Sequence, residues 1–359
     1  MQPYTNLSAI VEPLLSWYAQ DRRPLPWRED PTPYHVWLSE IMLQQTRIEA
    51  VIPYYERFLA ACPTVKHLAE IDDEALMKLW EGLGYYSRAR NLKKAALAIM
   101  QEHDGQLPAD EQVLLSLPGI GEYTAGAIAS IAFGLPVPAV DGNVLRVITR
   151  LTADESDVLK QSTKRRVSEA LRDIYPRDAV GAADMTQALM ELGERVCIPN
   201  GTPRCDACPL GVTCLARALD LTDRIPTRAP KKARRIQEKT IFLLLHEDKV
   251  ALCKRPDHGL LAGLWEFLGV EQHLDDNEAW SLLAEQGIRI NEMLPTTDAA
   301  HMFTHIEWHM KGYAICCENE ISRWQGRELV WVTRRELTEN YAIPGAYRAF
   351  VDLLRDDAT

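Results

Sequence analysis

Residues Leu117 to Ala127 read LPGIGEYTAGA, with two glycines flanking one apolar residue between two runs of helical spacing. Glycine adopts backbone conformations barred to other residues, so around Gly119 and Gly121 several amide groups can point outward where a helix over 122–134 begins. Such a turn, at the positive end of a helix dipole, can bind a nucleic-acid phosphate without contacting a base. The alternative is a tight helix–helix turn with buried glycines, and the short motif leaves both open.

Length and composition limit the possible number of domains and the class of protein. A chain of 359 residues predicts two domains, each able to bury a core. No run reaches the length of a membrane helix, and the start MQPYTNLSAI lacks a signal sequence, so we expect a cytoplasmic protein without membrane contact. The net charge of −11 argues weakly against nucleic acid, although local basic patches can override it.

The pattern of apolar residues in the sequence changes near residue 224. Residues 10–220 show helical periodicity between Pro and Gly breaks, which predicts an all-α half. The segment RIPTRAPKKARRIQEKT carries seven basic residues against one Glu, so we expect an extended, solvated interdomain linker. Beyond it, TIFLLLH, KVALCKR, HIEWHMKGYAICC and ELVWVT read as strands, with helices near 277–285 and after Pro344, which predicts an α+β half.

Four of the eight cysteines lie close together in the chain, with the spacing C-x7-C-x2-C-x5-C. Four thiolates suit a structural zinc or a [4Fe–4S] cluster. Only one short C-x2-C pair is present, whereas zinc sites usually have two, so the spacing favours iron–sulfur over zinc and over unligated thiols. The candidate ligands are Cys197, Cys205, Cys208 and Cys214.

These features occur in an order that resembles the helix-hairpin-helix DNA glycosylases, and more narrowly the adenine DNA glycosylase family. The motifs that carry the resemblance are LPWR, SEIMLQQTR, WEGLGYYSRARNL, LPGIGEYTAGA and VDGNVLRV. It implies a helix-hairpin-helix glycosylase domain over 1–223 that is similar in fold to endonuclease III, with an iron–sulfur motif over 197–214. A basic linker over 224–237 and a Nudix-like α+β domain over 238–359 follow.

Two carboxylates are candidates for the chemistry. Glu40 shares a helical face with Trp37 and Gln44 among apolar neighbours, so burial could keep it protonated as a general acid; a surface glutamate is the alternative. Asp141 precedes a helix, where it is an N-cap or a carboxylate facing a sugar cation. The resemblance implies that Glu40 protonates adenine and then activates water. It also implies that Asp141 lies in the same pocket as Glu40 and that Asn143 positions Asp141.

Tyr123 distinguishes two kinds of glycosylase. In related enzymes that also cut the strand, a lysine at this position attacks the sugar to form a Schiff base. Tyrosine cannot form one, so we expect base removal without efficient strand cleavage, although a core aromatic at the helix start would be compatible with this.

The resemblance also assigns the DNA contacts. Gln45 and Tyr85, with Leu83 beside them, match residues that fill the gap left by a flipped base, and helix-end positions are the alternative. Arg28 and Gln187 match positions near the flipped adenine, and Gly119 and Gly121 match the phosphate-binding turn.

The C-terminal half resembles a Nudix domain that has lost its catalytic helix. Of the acidic REUxEE pattern, WSLLAEQGI keeps only Glu285, too few carboxylates for Mg²⁺. Phe303, Thr304 and His305 match the family's 8-oxoguanine-checking loop, or are a strand-end aromatic with its exposed neighbours. Two positions depart from the family: seven residues rather than six separate the first two cysteines, and Thr304 often corresponds to Ser.

The sequence as a whole predicts a monomeric, nucleoid-associated base-excision repair enzyme. It would flip adenine from a mispair with 8-oxoguanine or guanine in double-stranded DNA and hydrolyse the glycosidic bond. A bifunctional, pyrimidine-directed glycosylase of the endonuclease III kind is one alternative. A non-enzymatic iron–sulfur protein that senses oxidation on DNA is the other.

Overall fold

The computed structural model describes Tyr4, residues 7–230 and residues 233–356. Lys231 and Lys232 of the predicted linker lie outside the described residues. The chain divides into two compact units, one of residues 1–70 with 90–230 and the other of residues 71–89 with 231–359. The predicted domain bounds differ in placing 71–89 with the N-terminal half, and they stay a prediction.

Helices separated by short turns make up the N-terminal half, and further helices after residue 270 accompany the strands of the C-terminal half. In chain order they are α1 (Val11–Asp21), α2 (Pro26–Glu29), α3 (Pro33–Leu43), α4 (Ile48–Ala61), α5 (Val65–Glu70), α6 (Asp73–Leu79), α7 (Ser87–Glu102), α8 (Glu111–Ser116), α9 (Glu122–Ala127), α10 (Gly142–Thr152), α11 (Gln161–Ile174), α12 (Ala179–Glu191), α13 (Leu215–Ala218), α14 (Asp276–Glu285), α15 (Arg334–Asn340) and α16 (Arg348–Asp356). Two π-helical turns, Ile128–Ala132 and Leu192–Val196, continue α9 and α12. None of the helices among the described residues has the length and apolar character needed to span a membrane.

The strands all lie in the C-terminal half, as predicted. They are β1 (Arg235–His246), β2 (Lys249–Lys254), β3 (Trp265–Glu266), β4 (Leu268–Val270), β5 (Ile290–Pro295), β6 (Ala299–Met302), β7 (Ile306–Cys317), β8 (Arg323–Trp324) and β9 (Arg327–Thr333). The main path runs β5-β7-β1-β2-β9-β8, with β1 and β7 parallel. The short strands β3, β4, β5, β6 and β8 were not predicted from the sequence.

One buried core holds α10 and α12, two of the helices that carry the candidate site. It includes Leu14 of α1, Val147 of α10, Leu171 of α11 and Leu189 of α12. Because α10 and α12 pack through this core, the start of α10 and the end of α12 have fixed positions in the first unit.

The sheet buries both of its faces. Along β1, Ile241 and Leu243 belong to one core and Phe242 and Leu244 to the other, as the two-residue repeat of a strand requires. Helix α16 covers the first face and α14 the second. The sequence therefore reads as a continuous apolar run here rather than as an alternation.

Only one of the two glycines in the turn has a backbone conformation that other residues rarely adopt. Gly119 has a φ of +76°, and a Cβ there would lie 2.6 Å from the Cβ of Asn91. Gly121 is instead the N-cap of α9 with a φ of −97°, and a Cβ would meet nothing within 4 Å. The turn is solvent-exposed on both glycines, so they are not buried spacers.

Parts of the predicted linker are packed rather than solvated. Ile225 is 1% exposed, and its carbonyl accepts a 2.8 Å hydrogen bond from Nε of Arg150 in α10. At the other end, residues 235–237 pair with β7 as the start of β1.

The close packing of β7 against α16 predicts a stability effect. A Cβ at Gly312 would lie 2.2 Å from Oγ1 of Thr296 and 2.4 Å from a ring carbon of Phe350. We expect Gly312→Ala to destabilise the C-terminal unit by about 1–3 kcal/mol through overpacking. Urea unfolding of the full chain, followed by tryptophan fluorescence, measures this effect.

The matched control is Gly345→Ala, where a Cβ would meet nothing within 4 Å. Equal unfolding midpoints for the two variants would contradict the packing described for Gly312.

Candidate active site

A cavity of about 560 Å³ lies within the first unit. Its lining comes from α2, α3, the start of α9, the start of α10 and the end of α12. Seven of the predicted site residues share it: Arg28, Glu40, Gln45, Tyr123, Asp141, Asn143 and Gln187. Residues far apart in the chain therefore line one cavity.

Glu40 is held on a helix whose start is well defined. Thr32 caps α3 by accepting from the backbone N–H of His35, and Pro33 occupies the first turn, where it costs no hydrogen bond. Two turns on, Glu40 is only 5% exposed, which rules out a surface glutamate. The hydroxyl of Tyr123 donates a hydrogen bond to its Oε2 atom.

Burial of Glu40 changes its acidity. Desolvation disfavours the carboxylate and raises the pKa of Glu40 to about 7, with a further rise from the nearby charge of Asp141. The hydrogen bond from Tyr123 and the charge of Arg28 act in the opposite direction. Near neutral pH this carboxyl group can therefore either donate or accept a proton.

Asp141 is the N-cap of α10, as one of its predicted roles requires. The backbone N–H of Val144 donates to Oδ1 at 2.8 Å, and Nδ2 of Asn143 donates to Oδ2 at 2.9 Å. Burial raises the pKa of Asp141, while these donors and the charge of Arg146 lower it. Hydrogen bonds on both oxygens hold the carboxylate in one orientation at the cavity wall.

Asn143 is itself fixed by a buried arginine. Nη2 of Arg146 donates to Oδ1 of Asn143 at 2.8 Å and to the carbonyl of Gly193 at 2.6 Å, while Nε donates to the carbonyl of Cys197 at 2.7 Å. A Cβ at Gly193 would lie 2.6 Å from the Cβ of Asn143. Sequence reasoning missed both supports, because only the fold brings residues 193–197 against α10.

Glu191 is a further lining residue that sequence reasoning missed. Its side chain is fully buried, and Oε1 accepts from Nη1 of Arg28 at 2.5 Å. Nε of Arg23 lies 2.9 Å from both carboxylate oxygens. The spacing of Gln187 and Glu191, four residues apart on one helical face, was a signal that could have indicated this residue.

The four cysteines lie in the loop that follows α12. Three of them, Cys197, Cys208 and Cys214, pack against the buried core shared by α1, α10, α11 and α12. Nη1 of Arg150 lies 3.3 Å from Sγ of Cys197. Burial, with a smaller contribution from the other three thiols, raises the pKa of Cys208 to about 11, so the four groups are close enough to interact. Within 7–230 and 233–356, no group of His, Cys, Asp and Glu could hold a single metal ion.

The remaining predicted residues lie elsewhere. Gly119 and Gly121 belong to the first unit but do not line the cavity. Leu83 and Tyr85 belong to the second unit, where Leu83 is buried and Tyr85 is 46% exposed. Gln45 and Tyr85 both have positive φ angles, +59° and +48°, which side chains rarely adopt.

The Phe303–His305 turn joins β6 to β7 in the second unit. Phe303 is half-buried, with its ring 4.9 Å from that of Trp308, whereas Thr304 and His305 are exposed. The carbonyl of Phe303 accepts from Nε of Arg234 at 3.0 Å, and that of His305 accepts from the N–H of Arg235 at 3.1 Å. The turn therefore presents a hydroxyl and an imidazole to solvent from a fixed backbone.

Known proteins match both halves of the chain. The HhH-GPD superfamily base excision DNA repair protein profile matches residues 38–177, and the NUDIX domain profile matches residues 240–353. The chain is thus a base-excision DNA repair protein of the HhH-GPD class, with Glu40 and Asp141 lining one cavity of its helical domain, followed by a NUDIX domain.

Similar proteins identify the family within this class. The adenine DNA glycosylase of Rattus norvegicus is 33% identical over 413 residues, spanning 96% of this chain and 78% of the relative. The human adenine DNA glycosylase is 34% identical over 375 residues, spanning 88% and 68%. A solved thermostable thymine-DNA glycosylase is similar with a TM-score of 0.53 and 25% identity, covering 59% of this chain and 96% of its own. The chain belongs to the adenine DNA glycosylase family.

The raised pKa of Glu40 predicts a pH-dependent stability cost. The unfolded carboxyl group releases its proton near pH 4.5 and the folded one near pH 7, so Glu40 lowers stability progressively across this range and by a constant amount above it. We expect Glu40→Gln, which does not titrate, to be more stable than the parent above pH 7, by up to about 3 kcal/mol.

Thermal unfolding of both proteins at pH 4.5 and pH 8 measures the difference. A gain of equal size at the two pH values would contradict the raised pKa.

Proposed function

We propose that this protein is a monofunctional adenine DNA glycosylase that removes adenine opposite 8-oxoguanine or guanine by hydrolysing its N-glycosidic bond. The observation that carries the proposal is the hydrogen-bonded pair of Glu40 and Tyr123 facing Asp141 in one cavity. Membership in the adenine DNA glycosylase family supports the choice of base.

Glu40 supplies the proton for the leaving base. With its pKa near 7, a large fraction of the carboxyl group is protonated at neutral pH. Proton transfer to adenine lets the electron pair of the glycosidic bond leave with the base. The resulting Glu40 carboxylate then accepts a proton from the water that attacks the sugar.

Asp141 faces the positive charge that develops on the sugar. Cleavage of an N-glycosidic bond passes through an oxocarbenium-like transition state, which a fixed carboxylate stabilises. The two hydrogen bonds that orient Asp141 are made before substrate arrives, so little reorganisation is needed.

Tyr123 directs the reaction toward water. A phenol hydroxyl bonded to a carboxylate has no amine with which to form a Schiff base, so the sugar is not linked to the protein in a way that leads to strand cleavage. This argues against the bifunctional, endonuclease III-like alternative.

The cavity offers polar groups for the edge of a flipped adenine. Arg28, Gln187 and Glu191 line it, and Glu191 holds the guanidinium of Arg28. We assign the phosphate contacts to the turn at Gly119 and Gly121. Insertion into the duplex is assigned to Gln45, Leu83 and Tyr85, and recognition of 8-oxoguanine to Phe303, Thr304 and His305.

A [4Fe–4S] cluster is the cofactor we propose for the four cysteines. It would be held by Cys197, Cys205, Cys208 and Cys214, and four interacting thiols in one loop fit its donor set. A four-iron cluster is larger than a single ion and suits thiolates spaced more widely than one zinc requires. We assign it a structural role in the loop that Arg146 and Arg150 contact.

A duplex cleavage assay tests the proposed activity. We expect incubation with an adenine:8-oxoguanine duplex to give strand scission at the adenine only after alkali, because base removal leaves an intact backbone. Glu40→Gln should bind the duplex and lower the rate of adenine release at least about 100-fold, the usual contribution of a general acid.

Three results would count against the proposal. Absence of scission after alkali would end the assignment of adenine removal. Strong scission without alkali would favour the bifunctional alternative, and full activity in Glu40→Gln would show that a group other than Glu40 supplies the proton.

The cofactor has a separate test. We expect protein purified without oxygen to be brown, with about four iron and four sulfide per chain, and Cys208→Ser to lose most of this absorption. Cys62→Ser is the matched control, because Cys62 is a buried free thiol outside the loop. Colourless protein with one zinc per chain would overturn the assignment.

A further inference from the structure

Helix α6 and the turn that follows it are packed into the C-terminal unit. At the start of α6, Oε2 of Glu74 accepts from Nε1 of Trp265 at 2.8 Å, and Oε1 of Glu74 pairs with Lys254. Both partners belong to the sheet, on β3 and β2. An early segment of the chain is therefore attached to strands that follow it by some 180 residues.

The end of α6 has its own attachment. Oε1 of Glu81 accepts from the backbone N–H of Ile343 at 2.8 Å, and Nζ of Lys78 donates to the carbonyl of Tyr341 at 3.0 Å. Lys78 and Glu81 also pair with each other at 2.6 Å. Their side chains are only 22% and 30% exposed, so water competes less for these contacts than on an open surface.

The attached end leads directly into the Tyr85 turn. Trp80 is fully buried, and its Nε1 donates to the carbonyl of Gly84 at 3.1 Å. Nη2 of Arg88 donates to the carbonyl of Leu83 at 3.0 Å, and its guanidinium lies 5.6 Å from the centre of the Tyr85 ring. The position of α6 therefore sets the position of the turn through Trp80.

The turn needs such support because of its backbone. Gly82, Gly84 and Tyr85 have φ angles of +96°, +70° and +48°. Glycine adopts these angles freely, but for a tyrosine the left-handed region is unfavourable and persists only where the surroundings hold it. Local sequence alone does not stabilise this conformation.

We propose that Glu81, with Glu74, is a positioning residue through which the C-terminal unit sets the conformation of the Tyr85 turn, and so the discrimination of the base opposite adenine. The proposal rests on the proposed function, in which Tyr85 enters the duplex and the Phe303–His305 turn contacts 8-oxoguanine. The Tyr85 turn and the Phe303–His305 turn belong to the same compact unit.

Two measurements on the full chain test this role. The first is hydrogen exchange of residues 80–89 in the free protein, where the N–H of Arg88 is bonded to the carbonyl of Tyr85. The second is the ratio of single-turnover rates for adenine opposite 8-oxoguanine and opposite guanine. Glu81→Ala removes the acceptor for Ile343, Glu81→Gln keeps an acceptor oxygen, and Glu70→Ala removes an exposed glutamate of α5 that pairs with Lys66.

We expect Glu81→Ala to speed exchange across 80–89 and to lower the rate ratio about threefold to tenfold, the loss that corresponds to the net contribution of one ordinary hydrogen bond. Glu81→Gln should recover most of both effects, and Glu70→Ala should show neither. Exchange in α9 serves as an internal reference and should not change.

Each other outcome has one meaning. Unchanged exchange in Glu81→Ala would overturn the mechanical link, and faster exchange with an unchanged rate ratio would overturn the role in discrimination. If the parent protein releases adenine from neither duplex, the proposed function fails, while the exchange experiment still decides whether Glu81 holds the turn.

Discussion

The hydrogen bond from the Tyr123 hydroxyl to the Glu40 carboxyl group joins the two halves of the candidate site. Glu40 comes from α3 and Tyr123 from the helix that follows the glycine turn, so the contact requires both helices to be in place. Glu40 is only 5% exposed, so the hydrogen bond from Tyr123 satisfies a carboxyl group that has little other access to solvent. Burial keeps the pKa of Glu40 near 7 although this hydrogen bond lowers it, and the phenol at position 123 offers no amine to the sugar.

Around the Glu40–Tyr123 pair, hydrogen bonds hold the polar side chains in fixed orientations. Asp141 receives an N–H from its own helix and an amide from Asn143, and Asn143 is in turn bonded to Arg146. Each group is held by the next, with the last anchored on backbone carbonyls of Gly193 and Cys197. A site built in this way stabilises developing charge without first rearranging, which is the main source of electrostatic catalysis.

Much of this arrangement could be predicted from the sequence, and the parts that could not have a common cause. Helical periodicity predicted the all-α half, and the N-cap at Asp141 and the main strands were confirmed because they depend on local pattern. The burial of Glu40 agreed with its apolar neighbours. By contrast, Gly193 and the packing of Ile225 depend on contacts between distant segments, which no local pattern indicates.

The Phe303–His305 turn illustrates how contacts between distant segments are specified. Phe303 to His305 lie immediately before β7, and Arg234 and Arg235 bind their carbonyls from the start of the parallel strand β1. The register between β1 and β7 is determined by cores on both faces of the sheet, since a slip of one residue would exchange Ile241 and Phe242 between them. Insertions or deletions between Pro226 and Arg234 would therefore change the length of that segment without shifting the Phe303–His305 turn. Length variation among relatives is expected to collect there, rather than between Arg235 and Ile306.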